Sequence, residues 1–279
     1  AYRRQRQMCI RDSIEEHYDK VAFMTASKLG AVVGVSESTV VRFATEIGYS
    51  GYPALQQAMQ EMIRNRLTSV QRLEITSANT PLERLLDASL EQDIDIIRRT
   101  KETISHEAFY SAADALVNAK RVYIIGAGSS LALATFLSHY LSLVFDAVQL
   151  INATSDAQIL QQLVHIGAGD ALIGISFPRY SKKAAKALRY ASDRGASVIA
   201  ITDSTLSPLA SCAQQVLLAK SDMVSFVDSL VGPLALINAL IVTVAIKKKE
   251  EVAKTLCDLE NIWDEYGVYE KVENKSDDE

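Results

Sequence analysis

The chain has 279 residues, 48% of them hydrophobic and 23% charged, with a formal net charge of −5. Two domains suit that length better than one; the composition excludes extended disorder, and the net acidity excludes a generic polyanion binder. The residues up to Thr80 carry 10 basic and 8 acidic side chains and the rest carry 19 and 26, which assigns any nucleic-acid contact to the N-terminal part.

The first dozen residues, AYRRQRQMCIRD, are given no function and read as a tail of doubtful origin, although Ile10, Ile14, Tyr18 and Val21 share one helical stripe. From Ser13 to about Leu67 the apolar spacing is helical, and glycines fall only at breaks. Thr25 is an N-cap for a short helix whose buried face is Leu29, Val32 and Val33, and Gly34 ends it in a left-handed conformation. Val35 plugs the turn. Ser36 caps a second helix, Glu37 to Ile47, with Val40, Phe43, Ala44 and Ile47 inward and Ser38, Thr39, Arg42 and Thr45 outward. Two short helices joined by a glycine turn, the second carrying an arginine on its outer face, make a helix-turn-helix pattern. A plain three-helix packing module is the rival reading of the spacing.

A helix-turn-helix of this kind lays its second helix in the major groove. Arg42 can donate two hydrogen bonds to a guanine, and Ser38 and Thr39 can reach bases or phosphates. Thr25 begins the supporting helix, and Lys28, Ser36, Tyr49, Ser50 and Tyr52 suit phosphates. Pro53 opens a further helix.

Between Thr68 and Pro81 the chain turns polar and irregular (TSVQRLEITSANTP) and is the expected linker. The expected division is therefore residues 1–67 for DNA binding, 68–81 as linker, and 82–279 as an effector-binding and dimerisation domain ending in a polar tail. From Leu82 to Ile104 a second helical pattern carries Leu85, Leu86, Leu90, Ile94, Ile97 and Ile104 near one face.

After Lys120 short β-rich runs alternate with helical stretches: 121–125, 147–151, 171–176, 197–201 and 215–219. The fold class is thus an α-helical helix-turn-helix domain followed by an α/β domain with a five-stranded parallel sheet flanked by helices. The apolar run from Leu230 to Ile246 is 17 residues long and contains Gly232, Pro233 and Asn238. It falls short of a membrane span and reads as a buried helix, so no membrane is expected as a partner.

Gly126-Ala127-Gly128-Ser129-Ser130 follows the first strand and opens a helix, a pattern that makes an anion site from hydroxyls and helix amides. A dinucleotide site would need a glycine where Leu131 stands and an acidic residue where Asn152 stands, so no cofactor is expected. A tight turn without ligand is the rival. The third strand ends at Ser176, and the loop after it carries Pro178, Arg179, Tyr180 and Ser181. Two polar loops at adjacent strand ends can hold one anionic ligand, with Arg179 neutralising it. The candidate ligand residues are Gly128, Ser129, Ser130, Ser176, Arg179, Tyr180 and Ser181. Neither loop holds a carboxylate to act as an isomerase base. Asp203 and Asp228 are the nearest, and each reads as a turn or N-cap residue. Cys9, Cys212 and Cys257 are far apart and the four histidines do not cluster, so neither a disulfide framework nor a metal site is expected, and a cytoplasmic location fits.

The stretch from Thr25 to Tyr52 resembles the N-terminal domain of the RpiR family of regulators through Val35, Ser36, Thr39, Val40, Arg42, Phe43, Gly48, Tyr49, Gly51 and Tyr52. The region from about Leu82 to Tyr266 resembles the SIS (sugar-isomerase-type) domain through its IGAGSS turn, GDALIGIS and RGASVIAIT strands and SPLA segment. The resemblance implies a bacterial transcriptional regulator, not an enzyme, with a double-stranded DNA operator, a phosphosugar or other anionic effector, and assembly at least as a homodimer. It places Ser129, Ser130, Ser176 and Ser181 on the phosphate or hydroxyls. The family loop Ser-x-Ser-Gly-x-Thr is altered, with Pro178 and Arg179 at the second serine and the glycine. The alternatives are a phosphosugar isomerase and a phosphosugar-sensing adaptor that does not bind DNA.

Overall fold

The computed structural model describes residues 2–64, 68–153, 155–222 and 227–269. The chain divides into two compact units, residues 1–89 with 223–227, and residues 90–222 with 228–279. The expected boundary at Leu67 and the polar tail from residue 270 lie outside the described residues.

The first unit contains α1 (Tyr2–Val21), α2 (Ala26–Val33), α3 (Glu37–Glu46), α4 (Tyr52–Arg64) and α5 (Ser69–Asn79). Ile10, Val21, Leu29, Val40, Phe43, Ala44, Tyr52, Leu55 and Met59 form its core, with Ile14, Tyr18, Val33 and Val35 packed around them. The N-terminal stripe is packed, with Ile10 and Val21 in the core and Ile14 and Tyr18 against it.

Two inward assignments are corrected. Val32 is 62% exposed, because α2 is only two turns long and its inner face is used up by Leu29, Gly30 and Val33. Ile47 is also exposed, because α3 ends at Glu46 and the chain leaves the helical path at Ile47 (φ −91°, ψ 9°). The stretch from Thr68 to Pro81, expected to be irregular, is α5. Thr68 caps it: its side chain accepts from the Gln71 amide while the Gln71 side chain accepts from the Thr68 amide, a capping box that stabilises a helix start by about 1 kcal/mol.

The second unit takes in most of α6 (Leu85–Thr103), then α7 (His106–Val117), β1 (Val122–Gly126), α8 (Ser130–Leu141), β2 (Val148–Ile151), α9 (Asp156–Gln162), β3 (Ala171–Ile175), α10 (Lys182–Asp193), β4 (Ser197–Thr202), β5 (Gln215–Leu218), α11 (Val231–Lys247) and α12 (Lys249–Tyr266). The five strands are all parallel in the order β2-β1-β3-β4-β5. Alternate strand residues face opposite layers. Ile124, Ile173, Ile175, Ile199 and Ile201 pack with α7, α8 and α11, whereas Tyr123, Ile125, Leu172, Val198 and Ala200 pack with α9 and α10.

α11 is a core helix of that layer, with Gly232, Pro233, Leu236, Ile237, Leu240 and Val244 buried. No single helix among the described residues is long and apolar enough to cross a membrane. At the N-terminal edge of the sheet, buried Asp170 is clamped by Arg121 (Nε to Oδ1 3.1 Å, Nη2 to Oδ2 2.7 Å) and accepts from the Gly167 amide at 3.0 Å. That contact raises the Arg121 pKa above its usual value. The clamp fixes one end of β1 and β3 and leaves their carboxyl ends to the loops.

Strand order reverses direction at the β1–β3 boundary. Ligands of open parallel sheets bind outside the carboxyl ends of the strands at such a switch point.

Candidate functional site

Two sites carry chemistry, one in each unit. In the first unit, Thr25 caps α2 by accepting from the Lys28 amide at 3.2 Å, and Gly34 closes it at φ 72°. Gly30, which sequence reasoning passed over, sits where α2 meets the turn: a Cβ there would lie 2.7 Å from the Val35 carbonyl oxygen. Only a residue without a side chain lets these backbones approach so closely.

α3 exposes Ser38 and Arg42, while Thr39 is half-buried. Ser36 stands at the cap position, but its side chain makes no capping bond to the backbone. Its hydroxyl instead shares hydrogen bonds with Ser38 (2.9 Å) and Thr39 (2.8 Å), a cluster of three hydroxyls at the helix start. The Arg42 guanidinium folds back, Nε donating to the Ser38 carbonyl at 3.2 Å. Lys28 and Ser50 are exposed and Tyr49 is half-buried against the core.

Tyr52 corrects the expectation of a phosphate contact. It is 3% exposed, and its hydroxyl donates to the Met24 carbonyl at 2.9 Å. Burial pushes its pKa up to about 12. The aromatic ring fills the core, and the hydroxyl is used on a backbone carbonyl that also accepts from Gln56 Nε2 at 2.8 Å.

In the second unit, the loops after β1 and β3 enclose a cavity of about 360 Å³. Gly128, Ser129, Ser130, Ser176, Arg179 and Ser181, all expected ligand residues, line it. Gly126 makes the first loop possible, since a Cβ there would lie 2.4 Å from the Ser130 carbonyl oxygen. Gly128 follows at φ 60°, and α8 then starts at Ser130, which is buried. In the second loop the buried Ser176 hydroxyl accepts from the Ser181 amide at 3.0 Å, and the Ser181 hydroxyl accepts from the Ala184 amide at 3.3 Å, capping α10.

Arg179 stands between them at φ 70°, the one non-glycine residue at positive φ among those described. The backbone keeps the turn that suits glycine while carrying a long cationic side chain, a strain of about 1 kcal/mol.

Tyr180 is corrected. It does not line this cavity; its hydroxyl donates to Asp203 Oδ1 at 2.9 Å. Asp228 is corrected in the other direction. The α11 cap position is Leu230, so Asp228 caps nothing there, and its carboxylate lines the cavity. Asp228 Oδ2 accepts from the Ser129 hydroxyl at 3.0 Å, and Oδ1 lies 3.6 Å from Arg179 Nη2. The neighbouring chain is anchored to α6. The Ser229 hydroxyl donates to Asp93 at 2.7 Å, Asp222 pairs with Arg99, and the Lys220 amide donates to Thr100 at 3.0 Å. No short-range pattern marks Asp228; only the polar pair Asp228-Ser229 before the long apolar run signals a structured approach to α11.

Residues 6–66 match the model of the helix-turn-helix domain of the rpiR family, and residues 115–243 match that of the SIS domain. An uncharacterised HTH-type transcriptional regulator of Clostridium perfringens is 25% identical over 198 residues, 70% of each chain. The sugar isomerase domain of an RpiR transcription factor from Sphaerobacter thermophilus aligns at 30% identity and TM-score 0.61, over 64% of this chain and 99% of that one. The Vibrio vulnificus NanR protein, solved in complex with ManNAc-6P, shares the fold over 92% of each chain at TM-score 0.59 and 20% identity. Both domains match in the family's order, and the Sphaerobacter domain is covered almost from end to end: the chain belongs to the RpiR family of helix-turn-helix transcriptional regulators.

Proposed function

We propose that this regulator binds an operator through α3 and that its operator affinity is set by a phosphorylated sugar, or a similar anionic metabolite, held in the cavity between the β1 and β3 loops. The carrying observation is that Ser129, Ser130, Ser176, Ser181 and Arg179 line one cavity at the switch point of the sheet. The neighbour NanR was solved with a sugar phosphate, which supports the ligand class. Arg42 reads a base edge, Ser38 and Thr39 assist at the start of α3, and Lys28, Ser36, Tyr49 and Ser50 contact phosphates. The DNA-binding part ends near Leu67, α5 joins it to the effector domain, and the protein acts in the cytoplasm as at least a dimer. The effector acts by preferring one arrangement of the assembly, with a coupling of about 1–3 kcal/mol.

Mobility shifts on DNA flanking the gene, with and without a panel of sugar phosphates, test this. A shift whose midpoint moves about fivefold or more with one of them supports the reading. Absence of any specific shift favours the protein-binding adaptor instead.

Asp228 gives the isomerase reading one specific foothold, a carboxylate in the cavity. Its two oxygens are already engaged by Ser129 and Arg179, which favours binding over proton abstraction. Turnover of sugar phosphates by the purified chain would favour the enzyme.

A further inference from the structure

The cation of the cavity has a counter-ion built in. Asp228 is 99 residues from Ser129 in sequence, yet its carboxylate is engaged from both loops at once, by the Ser129 hydroxyl at 3.0 Å and by Arg179 at 3.6 Å. Its side chain is 19% exposed against 49% for Arg179, so the carboxylate lies at the wall and the guanidinium projects into the opening. The residue next to it is anchored to α6, the Ser229 hydroxyl donating to Asp93 at 2.7 Å.

An anion drawn to Arg179 and the loop hydroxyls must therefore settle beside a fixed negative charge. Inorganic phosphate, turned with its charged oxygens to Arg179, has only its own P–OH to offer that charge. A phosphorylated polyhydroxy compound brings donors: its hydroxyls, or an amine on its carbon skeleton, can replace the Ser129 hydroxyl on Asp228 while its phosphate takes Arg179.

We infer that Asp228 is the specificity-determining residue of this cavity, accepting hydrogen bonds from the hydroxyl-bearing part of a phosphorylated polyol and discriminating against phosphate alone. The inference rests on the reading of the cavity as an anionic-metabolite site. Asp228 selects by the difference between two affinities, so its removal changes the selectivity more than the binding of either ligand.

The test is titration calorimetry of the full chain and its Asp228→Asn variant with inorganic phosphate, glucose 6-phosphate, glucosamine 6-phosphate and ribose 5-phosphate. Asp228→Ser serves in the same way if the asparagine variant does not fold. The expected result is a wild type that prefers at least one sugar phosphate to inorganic phosphate. In the variant that preference falls about tenfold or more, because hydrogen bonds to a charged group are lost, while inorganic phosphate binds several-fold more tightly. An unchanged preference in the variant overturns the role of Asp228 and leaves the cavity's ligand class standing. Failure of all four to bind the wild type overturns both.

Discussion

The hydroxyl of Tyr52 donates to the carbonyl oxygen of Met24 at 2.9 Å, tying the first residue of α4 to the segment that leads into α2. Burial holds this phenol neutral, with its pKa pushed up from 10.0 to about 12. The unfolded phenol ionises near pH 10, so the stabilisation is fully present below that pH and is lost as pH rises through 12. Denaturation curves of the wild type across pH 9 to 12 should fall more steeply than those of Tyr52→Phe. At neutral pH the phenylalanine variant should lose about 1 kcal/mol or less, because Gln56 Nε2 also donates to the Met24 carbonyl (2.8 Å) and keeps it satisfied.

Arg42, proposed to read a base, donates from Nε to the Ser38 carbonyl at 3.2 Å in this structure. Arg42→Ala should cost about 1–3 kcal/mol on the operator and relax base preference at one position. Lys28→Ala should weaken all sequences about equally. Affinity profiles over a library of single-base operator variants distinguish the two. An unaltered base preference in the Arg42 variant would remove it from the reading surface.

Arg179→Gly separates folding from binding. Glycine suits φ 70°, so the variant should be as stable as the wild type or more stable by up to about 1 kcal/mol, while anionic ligand affinity falls. Alanine, which keeps the strain and loses the charge, should weaken binding without the gain. Thermal melts and calorimetry on both variants test this, and equal ligand binding by wild type and both variants would make Arg179 a bystander.

An exposed apolar row runs along and just before α6, through Leu82, Leu86, Leu90, Ile94 and Ile97. A row of this length is more than isolated surface residues and suits contact with another surface. If it is the contact between two copies, Leu86→Glu with Leu90→Glu should weaken dimerisation by about 2 kcal/mol or more and lower operator affinity with it. Sedimentation at micromolar concentration reads the first effect. A wild type that sediments as a stable monomer refutes the assembly.

The sequence was most informative where one residue type has one physical use. Gly34, Thr25 and the GAGSS turn were readable because a left-handed cap, an N-cap and a tight strand-to-helix turn each demand particular chemistry. The three central strand runs, β1, β3 and β4, were readable because each is buried on both faces, as a strand covered by helices must be. What escaped depends on partners distant in the chain. Tyr52 looks like a polar loop tyrosine until its ring is seen in a core built from α1 to α4. Tyr180 shares a loop with Arg179 but bonds to Asp203 beyond the next strand. Asp228 meets Ser129 only because α11 begins beside the β1 loop, and no local pattern encodes that meeting. The α5 helix is hard to read for a different reason: its stretch is polar, and its start is marked by the Thr68–Gln71 capping box rather than by an apolar stripe.

Gly30 has a bearing on how a collection of randomly mutated genes would look. It is buried and has no side chain, yet the spacing between α2 and the turn before α3 is set by its lack of a Cβ, with the Val35 carbonyl 2.7 Å from where one would be. Variants that no longer occupy the operator should therefore include every substitution at this position, conservative ones as well, and should cluster there as densely as at Arg42. A mutational map drawn from phenotype alone would place Gly30 among the DNA contacts, when its role is to fix the distance from which they are made.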